Sequence, residues 1–146
     1  MPEMTEKIII GVIVGVIGAV IVHRLTLRRN RWEKYLQAGV DFREVFIPAI
    51  DRLKHGPVEH LYIDTYSILT HALREQRIAY ERFRLYLPWF KRKGLDRAWQ
   101  QYLNGDGKET PEPFDAYVDA GDISESELHA LALRRIEKLL SYAKIS

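Results

Sequence analysis

The chain has 146 residues, 47% of them hydrophobic, and its 22 basic and 20 acidic side chains leave a formal net charge of +2. It contains no cysteine, which excludes a disulfide scaffold and a cysteine nucleophile. The length allows one modest core besides any membrane segment.

Residues 8–22 are fifteen consecutive positions without a polar side chain, Ile-Ile-Ile-Gly-Val-Ile-Val-Gly-Val-Ile-Gly-Ala-Val-Ile-Val. At about 1.5 Å per residue a helix over them covers about 22 Å, short of a hydrocarbon core of about 30 Å. The predicted span therefore takes in its neighbours, from about residue 5 to about residue 27, with Glu6, Lys7, His23 and Arg24 snorkelling at its ends. A cleaved secretory signal is the competing reading, beside an amphipathic or buried helix. Against it stand Glu3 and Glu6 before the run, the lack of an Ala-x-Ala site after it, and the stop-transfer flank Arg24, Arg28, Arg29, Arg31 and Lys34.

One basic residue, Lys7, precedes the span and five follow it within thirteen positions, which predicts that the C-terminal part stays cytoplasmic. Trp32 and Tyr35 are expected at the depth of the interfacial aromatic belt. Gly11, Gly15 and Ala19 recur every four residues, a spacing that lets two helix backbones approach closely and points to a homo-oligomer through the span; a plain apolar filler is the alternative.

Beyond the flank, residues 41–54 place Phe42, Val45, Phe46, Ala49, Ile50 and Leu53 on one helical stripe, with Pro48 predicted to kink it. A strand over 42–47 is the alternative. Residues 58–87 carry the longest pattern: Tyr62, Tyr66, Leu69, Leu73, Gln76, Tyr80, Phe83 and Leu87 alternate steps of four and three, as one side of a small antiparallel bundle. Ile78 and Leu85 lie on the other side, so a second cover over the later half is expected. Leu95, Ala98, Trp99, Tyr102 and Leu103 predict a short amphipathic helix. Residues 104–113 read as a loop, residues 114–120 as a single turn, and Ser124 with Glu127 as a capping box opening the last helix. The fold class is all-α: an N-terminal transmembrane helix (residues 1–31 with its basic flank) followed by a small cytoplasmic helical bundle (32–146).

Charge is unevenly spread. Residues 74–97 hold eight basic side chains against three acids, and residues 106–127 hold eight acids against Lys108. Pairing between the two stretches is the plain account; a basic face on anionic lipid is the sharper one. The motif at 88–94, Pro-Trp-Phe-Lys-Arg-Lys-Gly, sets two large aromatics beside three cations at a helix break. In a chain already tethered to a bilayer, Trp89, Phe90, Lys91, Arg92 and Lys93 join Arg24, Arg28, Arg29 and Arg31 as lipid-contact candidates, ahead of a nucleic-acid site. The plainer alternative has Trp89 and Phe90 capping the core and the cations solvated.

No chemistry stands out. His60, Asp64, His71 and Glu75 share one helical sector, but His60 and His71 are about 16 Å apart along the axis, so one ion cannot use all four; a solvated face is expected and no metal or other cofactor. There is no nucleophile elbow, Walker loop, dinucleotide fingerprint or EF-hand. No catalytic residue is assigned, and an enzyme is the least favoured class.

Phe83-Arg-Leu-Tyr-Leu, Gly94-Leu-Asp-Arg-Ala-Trp-Gln-Gln-Tyr and Ile136-Glu-Lys-Leu-Leu-Ser-Tyr-Ala-Lys, in this order, resemble a group of small uncharacterised bacterial proteins. Their usual pattern has Phe where Leu95 and Tyr142 stand here, and residues 42–49 are similar too. The resemblance implies a bacterial helical domain and carries no activity, substrate or catalytic residue. The expectation is a single-pass inner-membrane protein whose cytoplasmic domain serves as an interaction or scaffold module with an unidentified protein partner. The alternatives are a lipid-responsive domain lying on the membrane and an enzyme of unknown type.

Overall fold

The computed structural model describes residues 2–55, 64–106, 112–118 and 122–144. Among them every regular element is helical: α1 Pro2–Glu44, α2 Ile47–His55, α3 Thr65–Tyr86, α4 Trp89–Asn104 and α5 Glu125–Leu140, with 3-10 turns at Asp115–Tyr117 and Ser141–Ala143. The chain divides into two compact units, Met1–Lys34 and Tyr35–Ser146.

The first unit is the greater part of α1. It is long and apolar enough to cross a membrane: an 18-residue window has a mean hydropathy of 2.5, and none of it is buried within the chain. The predicted small-residue positions, Gly11, Gly15 and Ala19, are all exposed, and nothing lies within 4 Å of a Cβ built on either glycine.

The second unit takes its boundaries from proline and capping chemistry. Pro48 has no N–H, and its ring opposes the carbonyl four residues back, which belongs to Glu44. α1 stops there. Phe46 N turns to Arg43 O at 3.2 Å, and Pro48 falls in the first turn of α2, where its missing donor costs nothing. The expected kink in one helix is thus a break between two, and the strand over 42–47 is not formed. Asp64 caps α3, its Oδ1 accepting from Ser67 N at 2.7 Å, and the start predicted at residue 58 lies outside the described residues. Pro88 excludes the helical region for Leu87, which sits at φ −72°, ψ 138°, and so ends α3. Ser124 and Glu127 make both bonds of the capping box that opens α5.

α2 packs on α3 and α5, α3 on α5, and α4 on α5. The seam residues Leu69, Gln76, Tyr80, Phe83 and Leu87 are buried, as are all five apolar positions expected of α4. Aromatic rings run through the middle: Phe42 stacks on Phe83 with centroids 5.0 Å apart, Phe46 meets Tyr102 edge-on at 5.8 Å, and Tyr102 meets Phe114 at 5.1 Å. Tyr35, the first residue of the second unit, stacks on Phe83 at 5.9 Å and is half-buried. Among the described residues nothing supplies the second cover expected over Ile78 and Leu85, which are 44% and 69% exposed.

Candidate functional site

The aromatic-basic motif occupies the corner where α3 gives way to α4. Pro88 forces the turn, and its carbonyl starts α4 by accepting from Lys91 N at 2.9 Å and Arg92 N at 3.2 Å. Arg92 stitches the corner shut: Nε donates to Leu87 O at 2.9 Å and Nη2 to Leu85 O at 3.1 Å. These carbonyls lie at the end of α3, where helical partners run out. Arg92 is therefore occupied structurally, while Lys91 and Lys93 are exposed and have no ion-pair partner among the described residues.

Trp89 and Phe90 do not cap the core. They are 79% and 63% exposed, packed edge-to-face with centroids 6.1 Å apart, because the first turn of α4 precedes the point where that helix meets the bundle at Leu95. With Leu85 and the partly exposed Tyr86 they leave large apolar side chains in solvent at one corner. The other candidates, Arg24, Arg28, Arg29 and Arg31, are exposed on α1, with Arg29 Nε 3.0 Å from Glu33 Oε1.

Behind the corner lies a cluster that the sequence reading missed. Arg84 grips Asp96 with two bonds, Nε to Oδ1 at 2.7 Å and Nη2 to Oδ2 at 3.0 Å. The Tyr80 hydroxyl donates to the same Oδ1 at 2.6 Å, and the Tyr80 ring stacks on Trp99 with centroids 4.5 Å apart. Arg84, with Tyr80 assisting, holds the Asp96 carboxyl below its ordinary range. Burial, and then the Asp96 carboxylate, push the Tyr80 phenol upward. The signal available beforehand was an opposite-charge pair straddling Pro88, since residues on either side of a helix break are returned to one another. These residues also join two of the quoted motifs, Arg84 from the first and Asp96 with Trp99 from the second. The third motif touches the second at Gly94, where a Cβ would stand 2.9 Å from Tyr142 Cε1.

Deeper still, the Tyr102 hydroxyl donates to Gln76 Oε1 at 2.8 Å, and Tyr117 OH donates to Tyr102 O at 3.2 Å. Burial raises both phenols, so they remain protonated donors at neutral pH. Arg135 lies over the Tyr117 ring at 5.3 Å and reaches Asp106 at 3.1 Å. At the far end of α3, Glu125 Oε1 accepts from the backbone N–H and hydroxyl of Thr65 and stands 3.4 Å from His129 Nε2.

Two hollows open on the surface of the second unit. One of about 330 Å³ lies between α1 and α3, lined by Asp41, Glu44, Val45, Glu75, Ile78 and Arg82; the other, of about 470 Å³, is lined by Asp64, Tyr66, Asp115, Tyr117, Val118 and Glu125. Of the expected histidine-acid sector, Asp64 is a helix cap, His71 and Glu75 are exposed, and His60 lies outside the described residues. Among the described residues no three His, Asp or Glu side chains gather in a metal-binding arrangement. From the basic stretch Arg84 pairs with Asp96, and from the acidic stretch Asp106 pairs with Arg135.

Comparison with known proteins adds no relative: no family model matches the chain, and neither a curated protein nor a solved structure does.

Proposed function

We propose that this chain is a single-pass inner-membrane protein whose helical C-terminal unit, on the cytoplasmic side, is an interaction or scaffold module rather than an enzyme. The observation that carries the reading is the apolar window of α1, with a mean hydropathy of 2.5 and no part buried within the chain. Isoleucine, valine and glycine are indifferent or poor helix formers in water. A hydrocarbon medium reverses the balance, because it offers backbone groups no partner outside the helix. The arginine and lysine excess after the window supports the orientation.

For the second unit, the disposition of polar groups supports a binding role. Asp96, Arg84, Tyr80, Tyr102, Tyr117 and the side-chain oxygen of Gln76 are spent on one another or on backbone, and each contact ties one element of the bundle to another. A catalytic site would aim such groups into a cleft. The exposed apolar side chain of Ile78, beside the hollow between α1 and α3, leaves surface for a partner.

Crosslinking the full chain in native membranes, followed by mass spectrometry, tests this. The expected result is that the chain stays in the pellet after an alkaline wash and crosslinks reproducibly through exposed residues of α3 and α4 to one or a few membrane-associated proteins. Release by the wash would overturn the anchor; crosslinks confined to lipid would overturn the protein-partner role.

A further inference from the structure

We propose that the corner between α3 and α4 is a docking surface for anionic bilayer lipid, with Leu85, Trp89 and Phe90 entering the headgroup region and Lys91 and Lys93 against the phosphates. This rests on the anchored reading and deepens it by naming a second membrane contact made by the other unit.

Four observations converge. Trp89, Phe90 and Leu85 are 79%, 63% and 69% exposed, which in water leaves apolar area without return. Lys91 and Lys93 stand beside them with no ion pair among the described residues, while the nearest acid in sequence, Asp96, is already committed to Arg84. Arg92 bonds the carbonyls of Leu85 and Leu87, so the patch is held in shape rather than formed on contact. Finally, Tyr35, the first residue of the unit, stacks on Phe83 at 5.9 Å, two residues before Leu85, and only seven residues separate Tyr35 from Leu27 at the end of the predicted span. A tether this short gives the corner a high effective concentration of lipid, so a weak intrinsic affinity suffices.

The composition selects among occupants. Aromatic rings with cations suit lipid interfaces and single-stranded nucleic acid alike. Exposed Leu85 discriminates, because an aliphatic chain has no face on which a base stacks but partitions readily among acyl chains. Trp89 and Phe90 are perpendicular, at 88°, and so present no continuous stacking platform. A two-fold pairing of this patch with a second copy would set Lys91 and Lys93 against their own equivalents, which like-charge repulsion opposes.

The test uses the full chain in nanodiscs, of phosphatidylcholine alone or with about a third phosphatidylglycerol. Because the protein lacks cysteine, a spin label can be placed singly at Phe90→Cys, with Ser67→Cys as a wet reference on the opposite end of α3 and Ile13→Cys in the span. Depth is read from relaxation by oxygen against a water-soluble nickel chelate. In anionic discs the label at 90 should be shielded from nickel and the label at 67 should not. Each Lys→Glu change at 91 or 93 should weaken the shielded state at least about fivefold, and high salt should do likewise. If the label at 13 is immersed while the label at 90 stays as accessible as that at 67 in both lipids, the docking surface is refuted and the anchor stands. If the label at 13 is itself wet, the anchored reading fails. Protection of position 90 by an added oligonucleotide but not by anionic lipid would assign the corner to nucleic acid, and spin-spin broadening independent of lipid would assign it to a second copy; either result overturns the proposal.

Discussion

Arg84 on α3 and Asp96 on α4 form a two-pronged ion pair, with Nε 2.7 Å from Oδ1 and Nη2 3.0 Å from Oδ2. Planar guanidinium and carboxylate match in this geometry, which fixes angle as well as distance. The pair thereby sets the angle at which the two helices leave Pro88 and hence how Trp89 and Phe90 are displayed.

Replacing Asp96 with Asn should destabilise the second unit by about 1 kcal/mol, because the pair is only half-sheltered from water. The carboxyl is held below its ordinary range, chiefly by Arg84. Its stabilising contribution is therefore complete above the unfolded carboxylate pKa of about 4 and is lost as pH falls through the lower folded value. Urea unfolding of the full chain in detergent, followed by tryptophan fluorescence, should show a constant gap between parent and Asp96→Asn from neutral pH down to about pH 5, closing at lower pH.

Gly94→Ala should cost about 1–3 kcal/mol, since its Cβ would stand 2.9 Å from the Tyr142 ring and force it aside. In a Tyr142→Ala background the same change should stabilise by about 0.5–1 kcal/mol, because Gly94 lies within α4 and alanine is the better helix former. A double-mutant cycle measured by urea unfolding checks the coupling.

Much of this architecture could be read from the chain, and the failures are instructive. The steps of three and four through Leu69, Gln76, Phe83 and Leu87, the apolar set of α4, and the box at Ser124 and Glu127 are local patterns, so periodicity and capping chemistry announce them. Pro48 was visible but its effect was not. One proline can kink or break a helix, and the outcome depends on what each flanking segment packs against: Phe42 of α1 stacks on Phe83, while α2 packs on α3 and α5. The stacking of Tyr35 on Phe83 was not legible because the two are forty-eight positions apart and no local signal links them. At the candidate site, residue types pointed to the corner, but the roles there were not legible. Exposure separates Trp89 from a core tryptophan such as Trp99, and only the fold reveals that Arg92 is consumed by backbone while Lys91 and Lys93 are not.

Tyr102→Phe and Gln76→Leu should each destabilise by about 1–3 kcal/mol, because either one leaves a buried partner unpaired. The double variant should recover most of the loss, since it removes both polar groups. Gln76 Nε2 already has no hydrogen-bond partner among the described residues, which favours recovery. Denaturation midpoints of the four proteins decide it.

Gly105 ends α4 at φ 77°, ψ −162°, a region that only glycine occupies without strain, and a Cβ there would lie 2.9 Å from Ala116 Cβ. Gly105→Ala should cost at least about 2 kcal/mol, and a lower melting temperature by circular dichroism would register it.

The most direct test of the central claim is cysteine accessibility in intact cells and in cells opened to the cytoplasm. Single changes at Glu3→Cys and Ser126→Cys, made in the cysteine-free chain, are probed with a membrane-impermeant maleimide reagent. An anchored protein with a cytoplasmic bundle requires labelling at 3 from the outer side of the inner membrane and labelling at 126 only after the cytoplasm is opened. Labelling of 126 from the outer side, or recovery of both variants in the soluble fraction, would contradict it.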